Sequence, residues 1–177
     1  IVSPWEVVIT HADGKTQRLS TRSIVIAAGA RPTVPPIPGL EQTGYLTSET
    51  LWSMRELPRR LVVLGGGPIG SELTQAFARL GSEVTQVEMA PRLLLREDPE
   101  VSALVEQGFA REGIRVLTGH AAERCEMVDG DKWLITRPGA DEVRIPFGAR
   151  LVAGGRSANL TGYGLEELGI ATGRAVD

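Results

Sequence analysis

Between residues 60 and 120 the apolar positions switch back and forth between the periods of strand and helix. RLVVL at 60–64 is a short unbroken apolar run, the pattern of a strand buried on both faces. PIGSELTQAFARL at 68–80 then places Ile69, Leu73, Ala76, Phe77 and Leu80 on one stripe at helical spacing. Gly81 follows where a left-handed residue would close the helix. VTQVE at 84–88 predicts a second strand. Asp98 and Pro99 supply a cap and a first-turn proline for a second helix running to Arg111, with Gly113 after it and a third strand over 114–117. Strand, helix, strand, helix, strand predicts a parallel sheet with right-handed crossovers, a Rossmann-like βαβαβ unit of the α/β class.

The flanks have a different texture. Residues 5–10 and 15–20 (WEVVIT and KTQRLS) are separated by Asp13-Gly14, the composition of a hairpin. SIVIAA at 23–28 predicts a further buried strand, closed by Gly29-Ala30-Arg31-Pro32. Three prolines at 35, 36 and 38 make 34–39 a connector that is neither helix nor central strand, and the best domain boundary in the chain. Residues 47–51 (TSETL) predict a short capped helix. Alternation over 121–147, with turns at Asp129-Gly130 and Pro138-Gly139, predicts a small antiparallel meander, and 150–153 a last strand before Gly154-Gly155.

Composition narrows the function classes. The 177 residues are 42% hydrophobic and 23% charged, with a net charge of −3 and no basic block, which excludes a nucleic-acid surface. No apolar run approaches the roughly 20 residues of a membrane span, and no signal-peptide pattern appears, so a cytoplasmic protein is expected. The first residue is Ile1, already in an apolar stretch, and the last four, Arg174 to Asp177, carry no stop signal; a section of a longer protein is the expectation. The single cysteine, Cys125, reads as a half-buried strand residue with no redox partner. His11 and His120 are isolated and read as surface residues, and no metal-ligand spacing is present.

Chemistry concentrates at GGGPIG, residues 65–70. Gly65, Gly67 and Gly70 have G-x-G-x-x-G spacing after a strand and into a helix, the context in which that spacing binds a dinucleotide. Gly65 makes the tight turn, Gly67 lets the backbone approach a pyrophosphate, and Gly70 lets the helix pack on the strand; Gly66 is the spacer. Pro68 and Ile69 open the helix, whose N-terminal amides and dipole favour phosphate. Glu88, eighteen positions after Gly70, ends the second strand, where a carboxylate accepts ribose hydroxyls and repels a 2′-phosphate. This favours NAD over NADP. Arg92 and Arg96 lie nearby as candidate phosphate holders, although Arg96 with Glu97 and Asp98 reads better as a charged helix start.

These stretches, with IVIAAGARPTVPPIPGL, LTSETL, REDPEVSALVEQGFAREGI and LVAGGRSANL, resemble the flavin-dependent pyridine nucleotide–disulfide oxidoreductases, the group of dihydrolipoamide dehydrogenase, glutathione reductase and mercuric reductase. PPIPGL, AFARLGSEV and REDPE resemble the mercuric-reductase-like branch most. The resemblance implies an enzyme in which NAD(P)H delivers hydride to FAD and the flavin reduces a disulfide or metal-bound dithiol. It implies an NAD domain inserted into an FAD domain: residues 1–40 as an FAD-domain strand segment, 41–155 as the NAD domain and 156–177 as the return. It assigns Ala28, Gly29, Ala30 and Arg156 to the FAD side, with Ala28 standing where the family has threonine, and Asn159 to the same Gly-Arg-x-x-Asn pattern. Glu72 and Gly155 are assigned to the nicotinamide end, and Ala122 to the adenine.

The departures are as informative. The family's first FAD fingerprint, its redox cysteine pair, its later Gly-Asp flavin motif and its C-terminal dimer domain have no counterpart in these residues. The expectation is a fragment that binds NADH without catalysis of its own, from a homodimeric parent whose partner for the NAD domain is the FAD domain of the same chain. Two other readings stay open: an NADH oxidase or ferredoxin-type reductase without the disulfide, and a non-catalytic NAD-binding module.

Overall fold

A computed structural model describes residues 1–139 and 141–173. The chain divides into two compact units, Ile1–Arg31 with Arg156–Asp177, and Pro32–Gly155. Residues 174–177, in the stretch assigned to the return segment, lie outside the described residues, as does Ala140.

The smaller unit opens with a hairpin, β1 (Glu6–Thr10) against β2 (Thr16–Ser20), in register from Glu6↔Ser20 to Thr10↔Thr16. Gly14 takes a φ of 80° in its turn. The strand expected over 23–28 does not form. Val25 is 86% exposed and Ile26 38% exposed, and among the described residues the amides and carbonyls of 24–27 meet no hydrogen-bond partner. The residue types are those of a buried strand, but a strand also needs a neighbour to complete its ladder. The chain next forms β3 (Ala30–Pro32).

In the larger unit a one-turn helix, α1 (Leu40–Thr43), leads to β4 (Leu46–Thr47) and a 3₁₀ turn at Leu51–Ser53. The capped helix predicted over 47–51 is therefore absent. The Thr47 hydroxyl accepts the amides of Glu49 and Thr50, and the Thr50 hydroxyl accepts that of Thr47 at 2.9 Å. The capping chemistry closes a local turn instead of starting a helix. Then come β5 (Arg60–Leu64), α2 (Pro68–Leu80), β6 (Glu83–Val87), α3 (Pro99–Arg111) and β7 (Arg115–Leu117), as the periodicity predicts to within a residue. The meander follows as β8 (Ala121–Val128), β9 (Asp131–Arg137) and β10 (Val143–Phe147), and the chain returns as β11 (Ala149–Val152). β12 (Arg156–Ala158) then pairs with β3 in the smaller unit.

The main sheet is parallel, in the order β4-β11-β5-β6-β7. Its central strand shows why an unbroken apolar run was required. Alternate residues of β5 point to opposite faces: Leu61 and Val63 pack with Phe77, Val84 and Leu151, while Val62 and Leu64 pack with Leu134, Ile145 and Phe147 of the meander. All four are 6% exposed or less, and each such side chain contributes about 1.5–3 kcal/mol by burial. The stripe predicted for α2 is corrected in part. Gly70, Ser71, Thr74 and Phe77 are buried, whereas Ala76 and Leu80 are exposed. The helix turns a face of small residues to the sheet, which lets it lie close.

A buried cation ties the connector to this core. Arg150 of β11 is 1% exposed and donates to the carbonyls of Leu40 (2.8 Å) and Gly44 (3.0 Å), to Thr43 Oγ1 (3.1 Å) and to Cys125 Sγ. Its guanidinium lies 4.9 Å from the Phe147 ring centroid. Burial pulls the Arg150 pKa down and pushes the Cys125 thiol up, against the opposing pull of the Arg150 charge. Cys125 is fully buried, not half-buried as its sequence context predicts. His11 is exposed, and His120 is half-buried with Nδ1 2.8 Å from the Thr118 carbonyl. Among the described residues no helix is long and apolar enough to cross a membrane.

Candidate dinucleotide site

Parallel pairing brings the carboxyl ends of β11, β5, β6 and β7 to one edge of the sheet, where open α/β folds bind ligands. The glycine turn leaves β5 at this edge. Gly65 has a φ of 116°, and a side chain there would overlap the carbonyl oxygen of Ala153 at the end of β11. Gly70 faces the Gly65 carbonyl so closely that a Cβ would overlap it, which sets how tightly α2 packs on β5. Both glycines are required by the protein's own backbone.

Gly66 is more than a spacer. A Cβ there would lie 2.8 Å from both Glu88 Cγ and Leu93 Cδ2. Its amide donates to Glu88 Oε2 (2.5 Å) and its carbonyl accepts the Leu94 amide (2.7 Å). The glycine spacing marks Gly65, Gly67 and Gly70 but carries no information on what fills the room beside Gly66, and so it missed this.

Gly67 differs from the other three. Its φ of −75° and ψ of −179° suit any residue, and a Cβ added to it meets nothing within 4 Å. It caps α2, whose first helical bond is Ser71 N–H to the Gly67 carbonyl (2.9 Å). Pro68 takes the first helical position, and the amides of Ile69 and Gly70 precede the first acceptor in the helix. Helix amides and an open glycine thus share one corner, a cradle that a side chain at 67 would fill.

Glu88 stands just past β6, with Oε2 on the Gly66 amide and Oε1 on the Ala90 amide (2.6 Å). Each carboxylate oxygen keeps a second lone pair for another donor. The 118–120 loop lies alongside: His120 N–H donates to the Glu88 carbonyl (3.0 Å) and Gly119 N–H to that of Ala90 (2.8 Å). Ala122 follows this loop at the start of β8, paired with Thr136 and packed against the core beneath the meander. Glu72 is exposed on α2 and lines a groove with Leu94, Val105 and Phe109. Gly155, with a φ of 133°, accepts the Thr33 amide (2.9 Å) just beyond β11.

Ala28, Gly29, Ala30 and Arg156 fall in the smaller unit, where Asn159 organises them. Its side-chain amide donates to the Ala28 carbonyl (2.9 Å), its backbone amide to Gly29 (3.0 Å), and its Oδ1 accepts Arg31 (3.2 Å). Arg156 donates to the Ala30 carbonyl.

Sequence reasoning missed two further residues. Gln86 is fully buried on β6 and donates to the Gly65 carbonyl (2.9 Å) and Ser71 Oγ (3.3 Å), while among the described residues its Oε1 has no partner. A glutamine inside the apolar VTQV run was the available signal. Leu94 holds a left-handed backbone, φ 48°, for which its residue type gives no sign. Arg92, a candidate phosphate holder with Arg96, donates from Nη1 and Nη2 to the carbonyls of Leu94, Glu97 and Leu95 and to Ser102 Oγ. Among the described residues no group of three or more His, Cys, Asp or Glu could hold a metal.

The sequence profile of the pyridine nucleotide-disulphide oxidoreductase family matches residues 1–176. The chain belongs to that family. A mercuric reductase from Streptomyces lividans is 43% identical over 162 residues, covering 91% of this chain and 34% of the relative. A dihydrolipoyl dehydrogenase from Chlorobaculum tepidum is 34% identical over 171 residues, 95% of this chain and 36% of the relative. Among solved structures, the HOCl-induced flavoprotein disulfide reductase RclA from Escherichia coli superposes with a TM-score of 0.81 at 29% identity, over 98% of this chain and 38% of that one. The chain thus spans about a third of the length of the curated relatives it matches. Membership in the pyridine nucleotide-disulphide oxidoreductases implies the use of NAD(P)H and FAD.

Proposed function

We propose that residues 41–155 hold NAD(H) within a larger flavoprotein that passes hydride from the nicotinamide to FAD and on to a disulfide or metal-dithiol acceptor. The observation that carries the reading is the contrast among four glycines. Packing accounts for Gly65, Gly66 and Gly70, whereas at Gly67 the backbone suits any residue and, among the described residues, nothing lies where a side chain would stand. A pyrophosphate laid across that backbone does ask for it.

The residues fit the group. The α2 amides and the Gly67 peptide receive the pyrophosphate, with Pro68 and Ile69 setting the first turn. Glu88 receives the ribose hydroxyls on its free lone pairs, its position fixed by two backbone donors. Ala122 borders the adenine, and Gly155 and Glu72 border the nicotinamide, which when bound supplies the hydride. Ala28, Gly29, Ala30 and Arg156 belong to the flavin side. The Glu88 carboxylate repels a 2′-phosphate, and the donors of Arg92 are turned to the loop's own carbonyls and Ser102; NADH is therefore the expected nucleotide. The mercuric reductase and dihydrolipoyl dehydrogenase relatives favour a dithiol-type acceptor. The 177-residue chain by itself binds NADH and turns nothing over.

Calorimetric titration of the chain with NADH and with NADPH tests this. NADH binding more tightly than NADPH is expected. Absence of NADH binding overturns the site, and equal or reversed affinity overturns the nucleotide preference.

A further inference from the structure

We propose that Arg92 is a positioning residue for dinucleotide binding, acting through the β6–α3 loop on the Gly66–Gly67 peptide. The inference rests on the reading of the site given above and adds a residue that touches no part of the nucleotide. The loop wraps around one guanidinium. Arg92 Nη1 donates to the carbonyls of Leu94 (3.2 Å) and Glu97 (2.9 Å) and to Ser102 Oγ (2.6 Å), and Nη2 donates to the Leu95 carbonyl (2.8 Å). Ser102 in turn donates to the Leu93 carbonyl (2.6 Å), which anchors the loop to α3. Only a planar, multi-donor head can meet so many acceptors at once.

The loop's product is the conformation of Leu94. With its carbonyl held by Arg92, this residue keeps a φ of 48° and aims its amide at the Gly66 carbonyl, 2.7 Å away. Beside it the fully buried Leu93 side chain fills the room next to Gly66. In a trans peptide the C=O and N–H point in opposite directions. Pinning the Gly66 carbonyl toward the loop therefore turns the Gly67 N–H away from it, and among the described residues that N–H has no acceptor. Glu88 fixes the preceding peptide through the Gly66 amide. The donor at the open glycine is thus aimed before any ligand arrives, and Arg92 holds the far end of the chain of contacts that aims it.

NADH and NADPH titrations of the 177-residue chain, as wild type, Arg92→Met and Arg92→Lys, test the assignment, with circular dichroism confirming that each protein is folded at the titration temperature. Arg92→Met is expected to raise Kd for both nucleotides about tenfold, leaving their ratio unchanged. Arg92→Lys, whose single ammonium cannot span the four acceptors, gives a smaller loss in the same direction and serves if the Met variant does not fold. Unchanged affinities in the folded Arg92 variants overturn the proposal. So does a loss confined to NADPH, which would make Arg92 a phosphate ligand. A wild-type chain that binds neither nucleotide brings down the reading of the site itself, a result distinct from either.

Discussion

Replacing Gly67 with alanine separates a glycine kept for a ligand from one kept for the fold. The added methyl group meets nothing within 4 Å, and the backbone at φ −75°, ψ −179° accepts it without strain. Two small effects on stability then oppose each other. Alanine restricts the unfolded chain, a gain of about 0.4–1 kcal/mol. It is also a poorer N-cap than glycine for α2, a loss of roughly 1 kcal/mol or less. The net change lies within about 1 kcal/mol of zero, a shift in Tm of no more than about 4 °C for a chain of this size. Affinity should respond in a different way, because the methyl group stands where the pyrophosphate approaches. A rise in the NADH Kd of at least about tenfold is expected, or some 1.4 kcal/mol. Differential scanning fluorimetry and calorimetry on the same preparation read the two quantities. A Tm lowered by more than about 8 °C would show that the fold itself needs this glycine. Unchanged affinity at unchanged Tm would show that no ligand passes over it. Either result refutes the reasoning.

Other perturbations follow from the same contacts. Gly66→Ala forces a methyl group against Glu88 and Leu93 and should cost about 1–3 kcal/mol in urea unfolding, in contrast to its neighbour. Glu88→Gln removes the charge set against a 2′-phosphate, so the ratio of NADPH to NADH dissociation constants should fall by about tenfold in calorimetry. Arg150→Met strips the donor from the Leu40 and Gly44 carbonyls and from Thr43 in the core, and a loss of roughly 2–5 kcal/mol is expected by chemical denaturation. The Arg79 guanidinium, hydrogen-bonded to Glu112 at 2.7 and 2.9 Å, holds that carboxyl below its ordinary value of 4.5. Its folded pKa is the lower one, so the contribution is present above 4.5 and is lost as pH falls through the folded value. Arg79→Ala should therefore flatten the acid limb of the stability profile, and an unchanged limb would show the pair to be inert.

The parts of the fold that were legible in the sequence are those in which a residue's chemistry and its surroundings coincide. RLVVL is apolar at every position because both faces of β5 are covered, and Pro99 and Gly81 mark helix ends because their backbones permit little else. Residues 23–28 show the limit: Ile24, Val25 and Ile26 have strand chemistry, but periodicity cannot report whether a neighbouring strand is there. TSETL shows another, since threonines that cap a helix can equally close a turn. At the site, the tight turn at Gly65 and the close packing at Gly70 were readable from the glycine spacing because backbone approaches backbone at both. Leu93, Leu94 and Arg92 were not, because their contribution is the shape of a loop and the aim of a peptide, which many sequences achieve and none announces.

The bond from the Thr33 amide to the Gly155 carbonyl, 2.9 Å long, joins the first and last residues or so of the larger unit. A body whose two ends meet can be spliced into a surface loop of a host with little more loop-closure entropy than a turn demands. The connector's ties to Arg150 and Cys125 place its prolines inside this body, so the natural cut points are Arg31/Pro32 and Gly155/Arg156. A graft made there would carry the glycine turn, Glu88 and the Arg92 loop together as one transplantable unit.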